Sequence, residues 1–179
     1  LPEEEGGMAG SWSDAQSVFH LAGYHAIALP VGETMIARKL YAEAGVEIGT
    51  GPIAEDWWHD DRIDVEEAFV CLAFLRTAQT AGALSACLEM CIRYAQERSQ
   101  FGRELRKFQA IQHQIAVLAE EAAAVSAASL SAAAALDRGH GAFEIACAKL
   151  RANQAAGTSA LIAHQIHGAI GITEEFGLH

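Results

Sequence analysis

Residues 116–135 read AVLAEEAAAVSAASLSAAAA, and 11 of these 20 residues are alanine. Alanine is the strongest helix former, and its small side chain lets neighbouring helices approach closely. Just before this stretch, apolar residues recur at three- and four-residue steps, at Leu105, Phe108, Ile111, Ile115 and Leu118. That spacing is typical of one helix face. The pattern predicts a long helix that starts after Gly102, ends at Asp137-Arg138-Gly139 and lies deep in a bundle.

The rest of the second half has the same character. Alanine makes up 37 of the 179 residues, and residues 53–179 contain no proline and only eight glycines. Alternating apolar and polar runs, which indicate strands, are almost missing. We predict one long helix from a cap at Asp64 to near Gly102, and another over 141–166 that stops at Gly168 and Gly171. The sequence therefore predicts an all-α protein with long antiparallel helices in a bundle.

Two shorter helices are expected before the bundle. Ser13 or Asp14 can cap the first, which runs towards Ile27, and the second enters at Pro30 and stops at Gly45. We expect an N-terminal helical part over residues 1–54, a linker over 55–63 and the helical bundle domain over 64–179.

The charge balance excludes some partners. Twelve Lys and Arg residues against 23 Asp and Glu residues leave a net charge of −11 and a pI near 5.1. Such a balance argues against nucleic acid and against a polybasic membrane anchor. The start does not resemble a signal peptide, and the four cysteines do not resemble a disulfide framework. We therefore expect a cytoplasmic protein with no nucleic-acid or membrane partner.

Two pairs of metal-ligand residue types lie within one helical turn of each other. Cys87 and Cys91 are four residues apart, and His164 and His167 are three apart. Neither pair has the further residues that would complete a tetrahedral set, and no carboxylate accompanies the histidines as in a zinc protease. We expect both pairs to pack in the core and predict no metal site.

The stretch YAQERSQFG, residues 94–102, is the first candidate for ligand binding. Its Arg98 precedes the expected helix-ending Gly102 by one turn, where a guanidinium can offer two donors to a phosphate. A cation that simply stabilises a helix C-terminus has the same spacing.

The stretch QIHGAIG, residues 165–171, is the second candidate. Its two glycines allow a backbone with positive φ and a close approach of a ligand to exposed amides, although a plain C-cap also explains Gly168. A phosphate at a helix C-terminus meets the unfavourable end of the helix dipole. Arg98 and backbone amides would therefore have to outweigh that dipole.

These two stretches resemble the C-terminal helical domain of acyl-CoA dehydrogenases. YAQERSQFG is followed by FQAIQH at 108–113 and by AHQIHGAIGITE at 163–174, in the order and at the distance found in that family. The segments LPEEEGG (1–7) and LPVGET (29–34) resemble the family's N-terminal helical domain. The resemblance covers nearly all of the chain except about residues 55–64.

The resemblance implies a flavoenzyme of lipid metabolism that desaturates acyl-CoA thioesters with FAD and passes electrons to an acceptor flavoprotein. In the family, residues matching Arg98, Phe101, Gln165 and the turn from Gly168 to Gly171 hold the FAD of a neighbouring subunit, and Gln109 lies in the matching helix. It also implies a homotetramer, or a heterotetramer with another chain of this family.

Three departures from the family pattern leave an alternative open. The family's middle β-barrel is not represented, and we place the join in the linker. The catalytic glutamate is missing: where one branch of the family carries it, this chain has Leu72, and Glu174 matches a different position. Ala169 stands where many members have a second glycine. The chain is thus expected to be part of a dehydrogenase or, alternatively, a non-catalytic partner subunit; a plain bundle without cofactor would make both motifs coincidental.

Overall fold

The computed structural model of the protein describes residues 9–53, 56–173 and 176–178. Within them the chain forms five α-helices: α1 (Trp12–Tyr24), α2 (Val31–Glu43), α3 (Val65–Glu97), α4 (Gln109–Asp137) and α5 (Ala142–His167). The all-α prediction is confirmed. The LPEEEGG segment, Glu174 and the residues at 54 and 55 lie outside the described residues.

The cap of α1 is Ser11, so the predicted cap at Ser13 or Asp14 is wrong. The Ser11 hydroxyl accepts from the Asp14 backbone N–H at 3.1 Å, and the Asp14 carboxylate accepts from the Ser11 N–H at 2.8 Å. This reciprocal capping box satisfies two helix-end donors at once. The helix ends at Tyr24, before the predicted Ile27, because Ala26 adopts a positive φ of 47°.

The end of α3 also differs from the prediction. Asp64 caps it as expected, but the helix stops at Glu97 and Arg98 is its C-cap residue. Gly102 does not end the helix: it lies with Phe101 in the turn between two short antiparallel strands, β1 (Ser99–Gln100) and β2 (Arg103–Glu104). Both turn residues have positive φ, which fits the right-handed twist of a two-residue hairpin.

The start of α4 is displaced by this hairpin. A 3₁₀ turn over Leu105–Lys107 precedes it, and the helix begins at Gln109 with Phe108 as N-cap. The other predicted ends are confirmed: α2 follows Pro30, and Gly45, Gly139 and Gly168 take positive φ after α2, α4 and α5.

Helices α3, α4 and α5 pack against one another, and α1 lies across α3 and α4. The largest core cluster joins residues from both sides of the 55–63 segment, among them Phe19, Ile36, Phe74 and Ile145, and includes Trp57 of that segment. The first two helices therefore share a core with the bundle, while the division at 54 and 64 stays a prediction.

By length and composition alone, α3 and α4 could cross a bilayer. Half of the relevant window of α3 is buried within the bundle, as expected for the core helix of a soluble protein, whereas only 28% of the α4 window is buried. The absence of a membrane partner stays a prediction.

Candidate functional site

A groove of about 670 Å³ opens where three helix ends meet. The C-terminal ends of α3 and α5 form two of its sides, and the hairpin and first turn of α4 form the third. Because the two motif stretches end α3 and α5, the antiparallel course of the bundle brings them together although they are far apart in sequence. Volumes of about 300–1,000 Å³ are typical of small-molecule sites.

Four of the six residues named from the sequence line this groove: Arg98, Phe101, Gln165 and Gly168. The other two lie beside it. Gln109 is the exposed first residue of α4, next to the lining residue Ala110. Gly171 is buried, and a Cβ atom there would sit 2.9 Å from the His167 Cβ and 3.1 Å from the Leu178 Cδ2. The structure thus gives Gly171 a packing role that the sequence did not suggest.

Two hydrogen bonds fix the backbone of Arg98, while its side chain is exposed. Its N–H donates to the Tyr94 carbonyl at 2.9 Å, and its own carbonyl accepts from the Leu105 N–H at 2.9 Å. Among residues 9–53, 56–173 and 176–178, no carboxylate forms an ion pair with its guanidinium. Because its backbone is fixed and its guanidinium N–H groups are exposed, Arg98 is well suited to bind a phosphate or carboxylate ligand.

Phe101 is the most exposed aromatic residue that the structure describes. Its side chain is 90% exposed, and its φ of 53° lies in the left-handed region, which costs a residue with a Cβ about 1–2 kcal/mol. Its ring meets the Phe108 ring edge-on at 6.3 Å, and the Arg103 guanidinium covers Phe108 at 4.0 Å from the ring centroid. The hairpin therefore presents a large apolar ring at the rim of the groove at a cost in backbone strain.

The first turn of α4 supplies a favourable dipole that the sequence analysis missed. Phe108 offers no side-chain cap, so the first backbone N–H groups of α4 lack the usual capping partner, and Ala110 and Ile111 line the groove. The partial positive charge at the start of α4 offsets the partial negative charges at the C-terminal ends of α3 and α5, which are unfavourable for a phosphate. The sequence predicted a helix start before Phe108, and for that reason it did not predict this helix end at the groove.

An aromatic stack fixes the end of α5. The His167 ring lies 4.5 Å from the Tyr94 ring and 4.7 Å from the Phe176 ring, and its Nδ1 lies 2.8 Å from the Ala163 carbonyl. Because a carbonyl only accepts, that Nδ1 bears the proton and donates. His167 is 4% exposed, which confirms the expectation that it packs in the core. The stack sets the position at which Gly168 turns into the groove.

Residues 65–179 match the family model for the acyl-CoA dehydrogenase C-terminal domain. The chain is 37% identical over 107 residues to the acyl-CoA dehydrogenase IpdE2 of Mycobacterium tuberculosis, covering 60% of this chain and 32% of that protein. It is 34% identical over 100 residues to the caffeyl-CoA reductase-Etf complex subunit CarC of Acetobacterium woodii, covering 55% of this chain and 26% of that protein.

A solved structure, PigA with FAD and proline, superposes with a TM-score of 0.61 at 27% identity, covering 64% of this chain and 30% of that one. The chain thus spans about a third or less of the length of these relatives. The matched residues include α3, α4 and α5, and with them every element that lines the groove.

Proposed function

This chain belongs to the acyl-CoA dehydrogenase family, and from that premise we propose that it forms the FAD-holding helical part of an enzyme that desaturates acyl-CoA thioesters. The observation behind the proposal is the convergence of Arg98, Phe101, Gln165 and Gly168 on one groove. The similar PigA structure was solved with FAD, which supports the same cofactor here.

The groove residues fit a nucleotide diphosphate. The Arg98 guanidinium and the N-terminal end of α4 supply positive charge, and the Gln165 amide supplies both a donor and an acceptor. Gly168 has a φ of 64°, and a Cβ placed there would meet no atom within 4 Å, so its backbone is open to a ligand. We propose that these residues, with Gln109 at the edge, hold the cofactor.

When bound, FAD supplies the hydride acceptor for the oxidation of the acyl chain. This chain's residues would bind and orient the cofactor: Arg98 would contact its diphosphate, and the Phe101 ring would pack against it from the exposed rim. We propose a tetramer in the cytoplasm that passes electrons to an acceptor flavoprotein.

A second candidate function is that of a non-catalytic partner subunit. Leu72, at the position where one branch of the family has its glutamate base, is partly buried against the core cluster around Phe74 and Cys71. A leucine there packs and cannot remove a proton. The similar CarC protein is one subunit of a complex, which supports a heteromeric arrangement.

The test is a titration of the purified 179-residue protein with FAD, followed by absorbance and fluorescence. We expect saturable binding in the micromolar range or tighter, and substoichiometric binding if the site is completed by another subunit. A folded protein that takes up no FAD at about 100 μM would contradict the proposal. Two further observations separate the candidates: bleaching of the flavin by acyl-CoA thioesters in the full-length protein favours the enzyme, and co-purification with a second, base-containing dehydrogenase favours the partner subunit.

A further inference from the structure

Three sulfur-containing side chains lie within one turn of α3. The chain has four cysteines and three methionines, and Cys87, Met90 and Cys91 are three of these seven residues. Residues three and four apart on a helix are neighbours on its surface, so Cys87 adjoins both Met90 and Cys91. These three residues, the sulfur cluster, do not line the groove between the helix ends.

The sulfur cluster reaches from the core to the surface. Cys91 is 0% exposed, in an apolar core cluster formed by α3, α4 and α5. Cys87 packs against that core cluster but is only half-buried, and Met90 is half-buried as well. The expectation that both cysteines pack in the core is thus confirmed for Cys91 and only in part for Cys87. A ligand can approach the two thiols from the Cys87 side, while apolar side chains close the other side.

The two thiols are close enough to interact. The Cys91 thiol donates a hydrogen bond to the Cys87 sulfur, and this hydrogen bond lowers the pKa of Cys87. The same hydrogen bond, and then burial, raises the pKa of Cys91. Metal ions bind the thiolate form of cysteine, and Cys87 is the thiol that loses its proton more readily. Cys87 is therefore the first point of attachment for an incoming ion, and Cys91 is the second.

The spacing of the thiols suits an ion between them better than a direct bond. A disulfide holds its two Cβ atoms about 3.5–4.5 Å apart, whereas residues four apart on a helix have Cβ atoms about 5–6 Å apart. A disulfide would therefore distort α3, which runs without interruption through both cysteines. An ion bound to both sulfurs lengthens the bridge by one atom and leaves the helix intact.

The ligand types select a soft ion. In residues 9–53, 56–173 and 176–178, no three His, Cys, Asp or Glu side chains are grouped so that they could hold a metal ion. A structural zinc site needs four such ligands, so the sulfur cluster does not suit zinc. Thiolate and thioether sulfurs instead favour Cu(I), which is stable with two or three sulfur ligands. Two thiolates and one thioether form such a set.

We propose that Cys87, Met90 and Cys91 form a Cu(I) site on α3. Binding replaces the two thiol protons, which pass to water, by one Cu(I) ion; copper keeps its oxidation state and no electron is transferred. The flexible side chain of Met90 supplies the third sulfur. The site goes beyond the proposed function of the groove, since it needs no flavin and no groove residue.

The first test is an anaerobic competition for Cu(I) between the fully reduced protein and bicinchoninate, whose Cu(I) complex absorbs visible light. We expect each chain to withhold one Cu(I) from the chelator. Cys87→Ser should lower Cu(I) affinity by more than about 100-fold, because loss of a residue that merely orients a metal ligand already costs about 10- to 100-fold. Cys147→Ser, at an exposed cysteine of α5, is the matched control and should bind like the wild type.

Two results of this competition would overturn the proposal. One is a folded wild-type protein that withholds no Cu(I), and the other is a Cys87→Ser protein that binds Cu(I) as tightly as the wild type. Circular dichroism checks the fold of each variant. If Cys87→Ser is unfolded, Cys87→Ala takes its place, since alanine has the higher helix propensity.

The second test concerns the third ligand and the choice of ion. Met90→Leu keeps an apolar side chain of similar volume and removes the sulfur, so Cu(I) affinity should fall by about 3- to 10-fold. Met35→Leu, on α2, is the control and should bind like the wild type. Equal affinities of Met90→Leu and the wild type would overturn the three-sulfur site. A wild-type protein that retains one Zn(II) against a chelator but no Cu(I) would overturn the assignment to a soft ion.

Discussion

Gly82 on α3 lies directly against the His20 carbonyl on α1: a Cβ atom at Gly82 would sit 1.9 Å from that oxygen. One turn away the contact is repeated in the other direction, since a Cβ at Gly23 would sit 1.9 Å from the Gln79 carbonyl. The two backbones touch at this crossing, and only glycine permits it. The N-terminal helix is therefore docked on the bundle through main-chain contact.

Gly82→Ala is expected to destabilise the protein by about 1–3 kcal/mol, because the methyl group must push two backbones apart. The loss exceeds the gain in helix propensity of up to about 1 kcal/mol. The check is urea denaturation followed by circular dichroism. Gly157→Ala is the control, since nothing lies within 4 Å of its new Cβ, and it should be neutral or stabilising. Equal effects of the two substitutions would contradict the close crossing.

The Asp137 carboxylate, at the end of α4, is expected to stabilise the protein by binding the start of α1. Its carboxylate accepts from the Trp12 N–H at 2.6 Å and from the Ser13 hydroxyl at 2.6 Å, so a residue at the end of one helix caps another. Asp137→Ala should cost about 1–2 kcal/mol, as for loss of an N-cap. Asp61→Ala, at an exposed position, is the control and should change the free energy of unfolding by less than about 0.5 kcal/mol.

Local chemistry explains which sequence predictions succeeded, and long-range contacts explain which failed. The structure confirms the features that follow from local chemistry. These are the existence of the helices, the Asp64 cap and the helix stops at Gly45, Gly139 and Gly168. The α1 cap was misplaced because Ser13 and Ser11 are equally good caps locally, and the contact of Ser13 with Asp137 cannot be deduced from local sequence. Sequence likewise gave no sign that Phe101 would take a left-handed backbone, a conformation that disfavours aromatic residues.

The sequence predicted some of the groove residues and missed those whose approach depends on tertiary packing. The two motifs named Arg98, Phe101, Gln165 and Gly168, and the bundle brings all four together. The stack of Tyr94, His167 and Phe176 was missed, because its members come from three segments whose approach depends on tertiary packing.

Arg98→Ala is expected to weaken FAD binding by about 10- to 150-fold, which corresponds to about 1.5–3 kcal/mol for a lost charge-assisted contact. The free energy of unfolding should stay within about 0.5 kcal/mol, because the side chain is exposed. Arg93→Ala, an exposed arginine of α3 that does not line the groove, is the control for charge alone. If both variants lose affinity equally, the effect is general electrostatics and Arg98 has no specific contact.

Phe101→Gly separates stability from binding. Glycine adopts the φ of 53° without steric cost, and the ring is 90% exposed, so the free energy of unfolding should be unchanged or rise by up to about 1 kcal/mol. FAD affinity should nevertheless fall several-fold, because the ring at the rim is lost. Thermal denaturation and flavin titration measure the two effects on one sample. A variant that is less stable but binds FAD normally would show that the ring serves the fold.

Cysteine alkylation should distinguish a thiol in the core of the bundle from one on its surface. Burial raises the pKa of the Cys71 thiol to about 12, so at pH 8 only about one molecule in 10,000 carries the reactive thiolate. Cys71 should therefore react with iodoacetamide only after denaturation, whereas the Cys147 thiol is exposed. In the folded protein, Cys147 should be alkylated many times faster than Cys71. Mass spectrometry of peptides gives both rates; equal labelling of Cys71 and Cys147 in the folded protein would contradict the buried position of Cys71.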